Sequence, residues 1–252
     1  MISKNITKDK DRVPLKEKLA YGIAGPVDIL SVWVLVAVAH NVFNMELLLT
    51  PIQVGIILIS LRFWDGIADP VMGWISDNTR SRWGRRRPYI IIGAILSALT
   101  YPLMWWFPAS FDTNQIMLWV IGFGILFYTC FTIWCIPFQS LLMEISPDYD
   151  ERTRVASYRG IFQSLSGLMV GACWMISMLP IFHVDGVASP INGMRWISIV
   201  ISCIILILGP LPGIFVKERY YKTLEKEKDR KKESVFNDIV GVFSCKPFIV
   251  LC

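Results

Sequence analysis

The chain has 252 residues, of which 54% are hydrophobic and 18% charged, with a formal net charge of +5 and a mean hydropathy of +0.50. An apolar share near one half is ordinary for a soluble domain, but here it is gathered into six stretches of the roughly 20 residues that a bilayer-spanning helix needs, which excludes a soluble core. The six cysteines (Cys130, Cys135, Cys173, Cys203, Cys245 and Cys252) form no CxxC pair, and the two histidines, His40 and His183, form no ligand cluster. Neither a disulfide framework nor a zinc site is expected, and the positive charge is too segmented to read as a nucleic-acid surface.

The first 18 residues hold six Lys and Arg, with no small-residue cleavage site after them, so span one is expected to act as an uncleaved insertion signal. Span one runs from about Leu19 to Phe43 and contains Gly22, Gly25, Pro26 and a lone acid, Asp28. Span two, Pro51 to Ile75, contains Arg62, Asp65 and Asp69 and leads into a basic loop, Asp77 to Pro88. Span three, Tyr89 to Phe107, ends on Trp105 and Trp106, read as interface anchors. Span four, Gln115 to Glu144, is expected to break at Pro137, and span five, Tyr158 to Phe182, carries a Gly167/Gly171 pair that would let a helix approach closely. Span six, Trp196 to Val216, is interrupted by Gly209-Pro210-Leu211-Pro212-Gly213. The domain reading is therefore a segment at 1–18, a bundle at 19–216, a charged linker at 217–245, and the start of a seventh span at 246–252.

Lys and Arg number six before span one, five after span two, two after span four (three with Arg159 at the start of span five) and eight from Lys217 to Glu233, while the loops near Asn44, Ser110 and His183 have none before Arg195. Cytoplasmic loops carry the positive excess. Both ends of the six-helix unit are thus expected in the cytoplasm, in a multi-pass protein of the plasma membrane.

Ionisable groups within a membrane span are costly and usually functional. Asp65 and Asp69 are four residues apart and share a helical face, about 6 Å apart along the axis at ~1.5 Å per residue. Two carboxylates so close need a cation, a proton or Arg62 between them. Arg62 is a charge partner for only one acid, which favours a coupling-cation site over a purely structural network. Oxygen donors suit a hard cation such as Na+, with H+ the alternative. Asp28 reads as a substrate acceptor or as one half of a salt bridge to Arg159. Arg159, placed near the cytoplasmic start of span five, either binds substrate or simply follows the positive-inside pattern. In the loop after span two, Gly73 allows close packing, and Asp77 is followed by arginines able to grip carboxylates in a fork. This reads as a latch at the membrane surface.

The Gly73-xxx-Asp77 pattern with Gly84-Arg85-Arg86 resembles the loop signature of the major facilitator superfamily. The run Arg62-Phe-Trp-Asp65-Gly-Ile-Ala-Asp69-Pro-Val-Met-Gly73, with Arg80-Ser-Arg82-Trp-Gly after it, resembles more closely the glycoside–pentoside–hexuronide:cation symporter family, melibiose-permease-like. Tyr21-Gly22, Thr132-x-x-x-Ile136-Pro137-Phe138 and Lys246-Pro247-Phe248 match as well. The resemblance covers the whole chain and the amino-terminal half of a family member. It implies an all-α membrane protein, a six-transmembrane-helix bundle forming the N-terminal half of a major facilitator fold. It further implies Asp65, Asp69 and Thr132 as cation ligands, and Asp28 and Arg159 as sugar-binding residues. Gly73, Asp77, Arg80, Gly84, Arg85 and Arg86 would form the gating loop. Cys135 departs from the pattern, standing where melibiose-type members carry a second sugar-binding aspartate. Gln139 replaces a nearby tryptophan.

The expected activity is cation-coupled symport of a sugar or glycoside, with no cofactor beyond the coupling cation. The expected partners are the solute, the cation, the bilayer and a second half or partner chain, without which no transport is expected. Transport of another solute such as a lysolipid, or a non-transporting membrane half-protein, are the alternatives. An intramembrane prenyltransferase, which needs two aspartate-rich motifs near a membrane face, does not fit Asp65 at mid-span or the spacing of Asp148, Asp150 and Glu151, so no enzyme is expected.

Overall fold

The computed structural model describes residues 12–79, 81, 83–183 and 189–218, and these are all helical or loop, with no strand among them. The helices are α1 (Leu15–Ile23), α2 (Gly25–Ala39), α3 (Pro51–Asn78), α4 (Arg87–Thr100), α5 (Thr113–Ile145), α6 (Tyr149–Ser177), α7 (Pro190–Leu208) and α8 (Leu211–Phe215). A wider turn, His40–Glu46, prolongs α2, and a tight turn, Pro102–Met104, prolongs α4. Together they make six segments long and apolar enough to cross a membrane: Leu15–Glu46, Pro51–Asn78, Arg87–Met104, Thr113–Ile145, Tyr149–Ser177 and Pro190–Phe215. Residues 80 and 82 of the expected gating loop, and the linker and seventh-span readings beyond Glu218, lie outside the described residues.

The helix starts are written in the sequence. Thr50 and Gln53 form a reciprocal cap on α3, and Asp112 and Gln115 do the same on α5, each pair satisfying two backbone N–H groups that have no partner within the helix. Pro51, Pro88 and Pro190 occupy first turns, where the missing N–H costs nothing. The break between α1 and α2 falls at Ala24, two residues before Pro26, whose ring has no N–H to donate and crowds the preceding turn.

Four sequence expectations are corrected. Pro137 lies inside α5, which runs unbroken from Thr113 to Ile145. Pro137 and its neighbour Phe138 are buried, and packing of this kind is what lets membrane helices keep an internal proline. The fifth span begins at Tyr149 and ends at Ser177, earlier at both ends than its apolar stretch, because its first turns are polar. Trp105 is fully buried, stacked 5.8 Å from Phe43, so only half-exposed Trp106 fits an interface anchor. Gly167 and Gly171 meet nothing within 4 Å of a built Cβ, so no helix among the described residues uses that pair.

The core is aromatic. Phe127, Phe131, Trp134 and Phe138 stack along α5 with centroids 5.8, 5.7 and 4.6 Å apart, and Tyr21 of α1 stacks on Phe138 at 4.6 Å. The Trp134 indole donates to the Gly209 carbonyl at 2.9 Å. At Gly93 a Cβ would sit 2.5 Å from the Trp134 backbone nitrogen, so α4 crosses α5 at a distance only glycine permits. This packing fixes α5 as the pillar against which α3 and α4 lie.

Candidate cation and solute site

Asp65 and Asp69 lie one turn apart on α3, and across from them α5 presents Thr132, which is buried. The Thr132 hydroxyl oxygen is 3.5 Å from Asp65 Oδ1 and 3.2 Å from Asp69 Oδ1. A hydroxyl has one proton to donate, so it satisfies one carboxylate at a time. Arg62 Nη1 reaches Asp65 Oδ2 at 3.5 Å from a half-exposed side chain. Among the described residues no Arg or Lys comes within ion-pair distance of Asp69. The arrangement has two carboxylates, one hydroxyl and one arginine at the side. An oxygen-only donor set of this kind suits a hard cation or a proton.

On the opposite side of the same cavity, Asp28 of α2 meets α6. Arg159 Nη2 donates to Asp28 Oδ2 at 2.7 Å, and Gln163 Nε2 donates to the same oxygen at 2.9 Å. The approach depends on Gly25, where a Cβ would sit 3.0 Å from the Arg159 carbonyl oxygen. Of the two roles left open for Asp28, the geometry shows the salt bridge. Arg159 is also not at the start of its helix: it lies ten residues beyond Tyr149, about 15 Å along the axis at ~1.5 Å per residue. Asp28 Oδ1 faces Cys135 Sγ at 3.9 Å, and Gln139 Nε2 donates to that sulfur at 3.1 Å. A cavity of about 190 Å³ takes in Asp28, Arg62, Asp65, Asp69, Cys135 and Gln139. The acid pair and the Asp28 cluster therefore share one chamber.

The loop after α3 is a separate assembly. Asp77 Oδ1 accepts from Arg86 Nη2 at 3.0 Å and lies 3.3 Å from Arg85 Nη2. Both guanidinium groups also meet Glu144 of α5, Arg85 in a very short contact and Arg86 at 3.5 Å. The Glu218 carboxylate accepts the backbone N–H groups of Arg85, Arg86 and Arg87 at 2.8, 2.9 and 3.0 Å, at the N-terminal end of α4, where an anion is favoured. Gly84 turns the chain there with φ +109°. Arg87 departs from the expected fork, donating to the carbonyls of Gly213 and Ile214 at 2.6 and 2.8 Å. Gly73 has one neighbour, Ile136 Cγ2, at an ordinary 3.8 Å from a built Cβ, so no close packing requires it. Arg80 lies outside the described residues. Sequence reasoning missed Glu144 and Glu218, and also the Lys18–Glu151 pair at 2.7 Å that ties α1 to α6. Glu144, an acid at the very end of an apolar span, was the one visible hint.

Residues 21–252 match the family described as MFS/sugar transport protein. The chain belongs to this family. A similar relative is an uncharacterized symporter of Synechocystis sp., 34% identical over 167 residues, 60% of this chain and 29% of the relative. Another is a sodium-dependent lysophosphatidylcholine symporter of Mus musculus, 31% identical over 173 residues, 65% of this chain and 31% of that protein. An uncharacterized symporter of Bacillus subtilis matches the full chain at 27% identity and 52% of its own length. The matches thus span about a third to a half of these curated relatives. As an MFS/sugar transport family member with six spanning helices, the chain is a multi-pass membrane protein, and the relatives named here are symporters rather than enzymes.

Proposed function

We propose that this chain carries the cation site and part of the solute site of a secondary symporter. The observation that carries the reading is the convergence of Asp65, Asp69 and Thr132 deep in a membrane span with one arginine for two acids. Na+ or H+ would be held by Asp65 and Asp69, with Thr132 as neutral donor. Binding it relieves the repulsion between the acids of α3, and its bond to Thr132 draws α5 in, so α3 and α5 close best when the cation is present. Asp28 and Arg159 would orient the solute from the other side of the chamber, beside Cys135 and Gln139. Asp77, Arg85 and Arg86, turned by Gly84, would latch the cytoplasmic ends of α3, α4 and α5.

The first reading of the solute is a sugar or glycoside, supported by the polar wall of Asp28, Gln139 and Gln163. The second is a lysolipid. It is supported by the lysophosphatidylcholine relatives and by Trp33, an apolar surface 52% exposed beside the same cavity. Transporters of this kind bind solute between two repeats, so a second bundle, in the same or a partner chain, is proposed to close the chamber. The Lys/Arg asymmetry supports a plasma-membrane orientation with both bundle ends in the cytoplasm and a cytoplasmic linker at 217–245.

The test is uptake into proteoliposomes by the assembled transporter, with and without an inward sodium or proton gradient. Gradient-stimulated uptake of a labelled glycoside supports the first solute, and stimulated uptake of lysophosphatidylcholine alone supports the second. Uptake that ignores both gradients would overturn the symport reading.

A further inference from the structure

The acid pair belongs to α3 and its threonine to α5, so the site is only as well defined as the register between these two helices. Two contacts lie just before it on both helices. One is a notch: Leu61 is buried against Gly124, where a Cβ would lie 2.6 Å from Leu61 Cδ2, closer than two carbons approach. The other is a hydrogen bond. Trp64 Nε1 donates to Thr129 Oγ1 at 2.8 Å. Thr129 spends its own proton on the Ile125 carbonyl, also at 2.8 Å, so its oxygen is free to accept, and an indole N–H can only donate. The bond therefore has one direction and no competing arrangement. Trp64 is the chain neighbour of Asp65. Thr129 lies three residues before Thr132, on the same side of α5. Neither Trp64 nor Thr129 lines the cavity.

We propose that Trp64 is a positioning residue for the cation site: through Thr129 it locks the α3–α5 register that keeps both Asp65 and Asp69 within reach of the single Thr132 hydroxyl. Trp64 then sets cation affinity without touching the cation. Slippage of α3 by a fraction of a turn would carry one carboxylate out of reach of Thr132, leaving the cation with fewer ligands. The inference rests on the cation reading of the acid pair, and the experiment separates the two.

The transporter is purified into lipid nanodiscs and its thermal midpoint is followed as NaCl replaces choline chloride at constant ionic strength. A cation that binds only the folded state raises the midpoint, and the half-saturating concentration follows from the titration. Asp69→Asn should abolish the sodium response. Trp64→Phe, which keeps an aromatic ring and loses the donor, should raise half-saturation about 3- to 10-fold, the range an interhelical hydrogen bond in a bilayer supports. Thr129→Val should match it, the double variant should be no worse than either single, and Thr129→Ser should behave as the native protein. Thr129→Val also tests the bond from the other helix if Trp64→Phe does not fold. No sodium response in the native protein overturns the brace of a sodium site and leaves the proton as the cation to test, whereas a response that survives Asp69→Asn overturns the cation reading and the brace with it. A response lost in Asp69→Asn but native half-saturation in Trp64→Phe and Thr129→Val overturns the brace alone. So does an additive loss in the double variant, or a lowered sodium-free midpoint with half-saturation unchanged.

Discussion

Arg159 and Asp28 meet at 2.7 Å between α6 and α2, and each is about four-fifths buried, with side-chain exposures of 17% and 20%. The pair is wet enough to exchange partners and dry enough that neither member is content alone. A solute hydroxyl or headgroup entering the chamber would compete for the same guanidinium. Asp28→Asn should weaken solute binding strongly and cost about 1–3 kcal/mol of stability, the usual loss for a charge-assisted hydrogen bond. Asp28→Asn with Arg159→Gln should recover the thermal midpoint but not solute binding. Recovery of both would make the pair purely structural.

The meeting of these residues depends on Gly25. A side chain there must displace the Arg159 carbonyl or the Gln163 side chain, both 3.0 Å from a built Cβ. Gly25→Val should push α2 from α6 and cost about 1–3 kcal/mol, as overpacking does. Gly55→Val, whose Cβ meets nothing within 4 Å, is the matched control. Equal thermal midpoints for the two variants would refute the close-approach argument.

The proposed latch separates into a buried and an exposed acid. Glu144 is 1% exposed, whereas Asp77 is 40% exposed. Glu144→Ala leaves two largely buried guanidinium groups with one peripheral partner, and should destabilise by about 3–5 kcal/mol, as loss of one member of a buried ion pair does. Asp77→Asn should barely move the thermal midpoint. It should slow transport while leaving equilibrium solute binding within a few-fold, because the loop lies about two turns from Asp69. A large loss of binding in Asp77→Asn would place the loop in the solute site.

The six spans were legible because hydrophobic length is a local signal, and the acid pair because a four-residue spacing fixes a shared face. What escaped was long-range or masked by polarity. Glu144 finds Arg85 across 59 residues and Glu218 finds the same loop across 133, so no local pattern announced them. The start of α6 was hidden because Tyr149 to Ser157 is polar while still helical. Pro137 read as a break because local chemistry says so, whereas burial within the bundle lets α5 continue through it. Trp105 read as an anchor because belts and cores draw on the same residue.

The proposed orientation is open to a direct check. In a variant lacking the native cysteines, a cysteine at Ser110, on the short loop before α5, should react with a membrane-impermeant maleimide applied to intact cells. A cysteine at Ser81, beside the Asp77 latch, should react only after permeabilisation. Labelling of Ser81→Cys from outside would invert the topology and move the latch to the other face.

Coupling between cation and solute has a quantitative signature. Asp69 touches Thr132 at 3.2 Å and opens onto the same cavity as Asp28, so the proposed cation and solute would share one chamber between facing helices. If the cation draws α3 against α5 and the solute needs that closed form, each must tighten the other by the same factor. A coupling of ~1–3 kcal/mol would appear as roughly 5- to 150-fold in affinity. In the assembled transporter, sodium should lower the solute Kd by some factor, and saturating solute should lower the sodium Kd by an equal one. Asp69→Cys should reduce that factor to one while leaving weak, sodium-independent solute binding, because Asp28 and Arg159 are untouched. Asp28→Ala should do the reverse, retaining sodium binding as solute affinity falls. An Asp69→Cys transporter with its full sodium dependence would show that the two acids only hold α3 against α5, and that the ion drives transport from somewhere else.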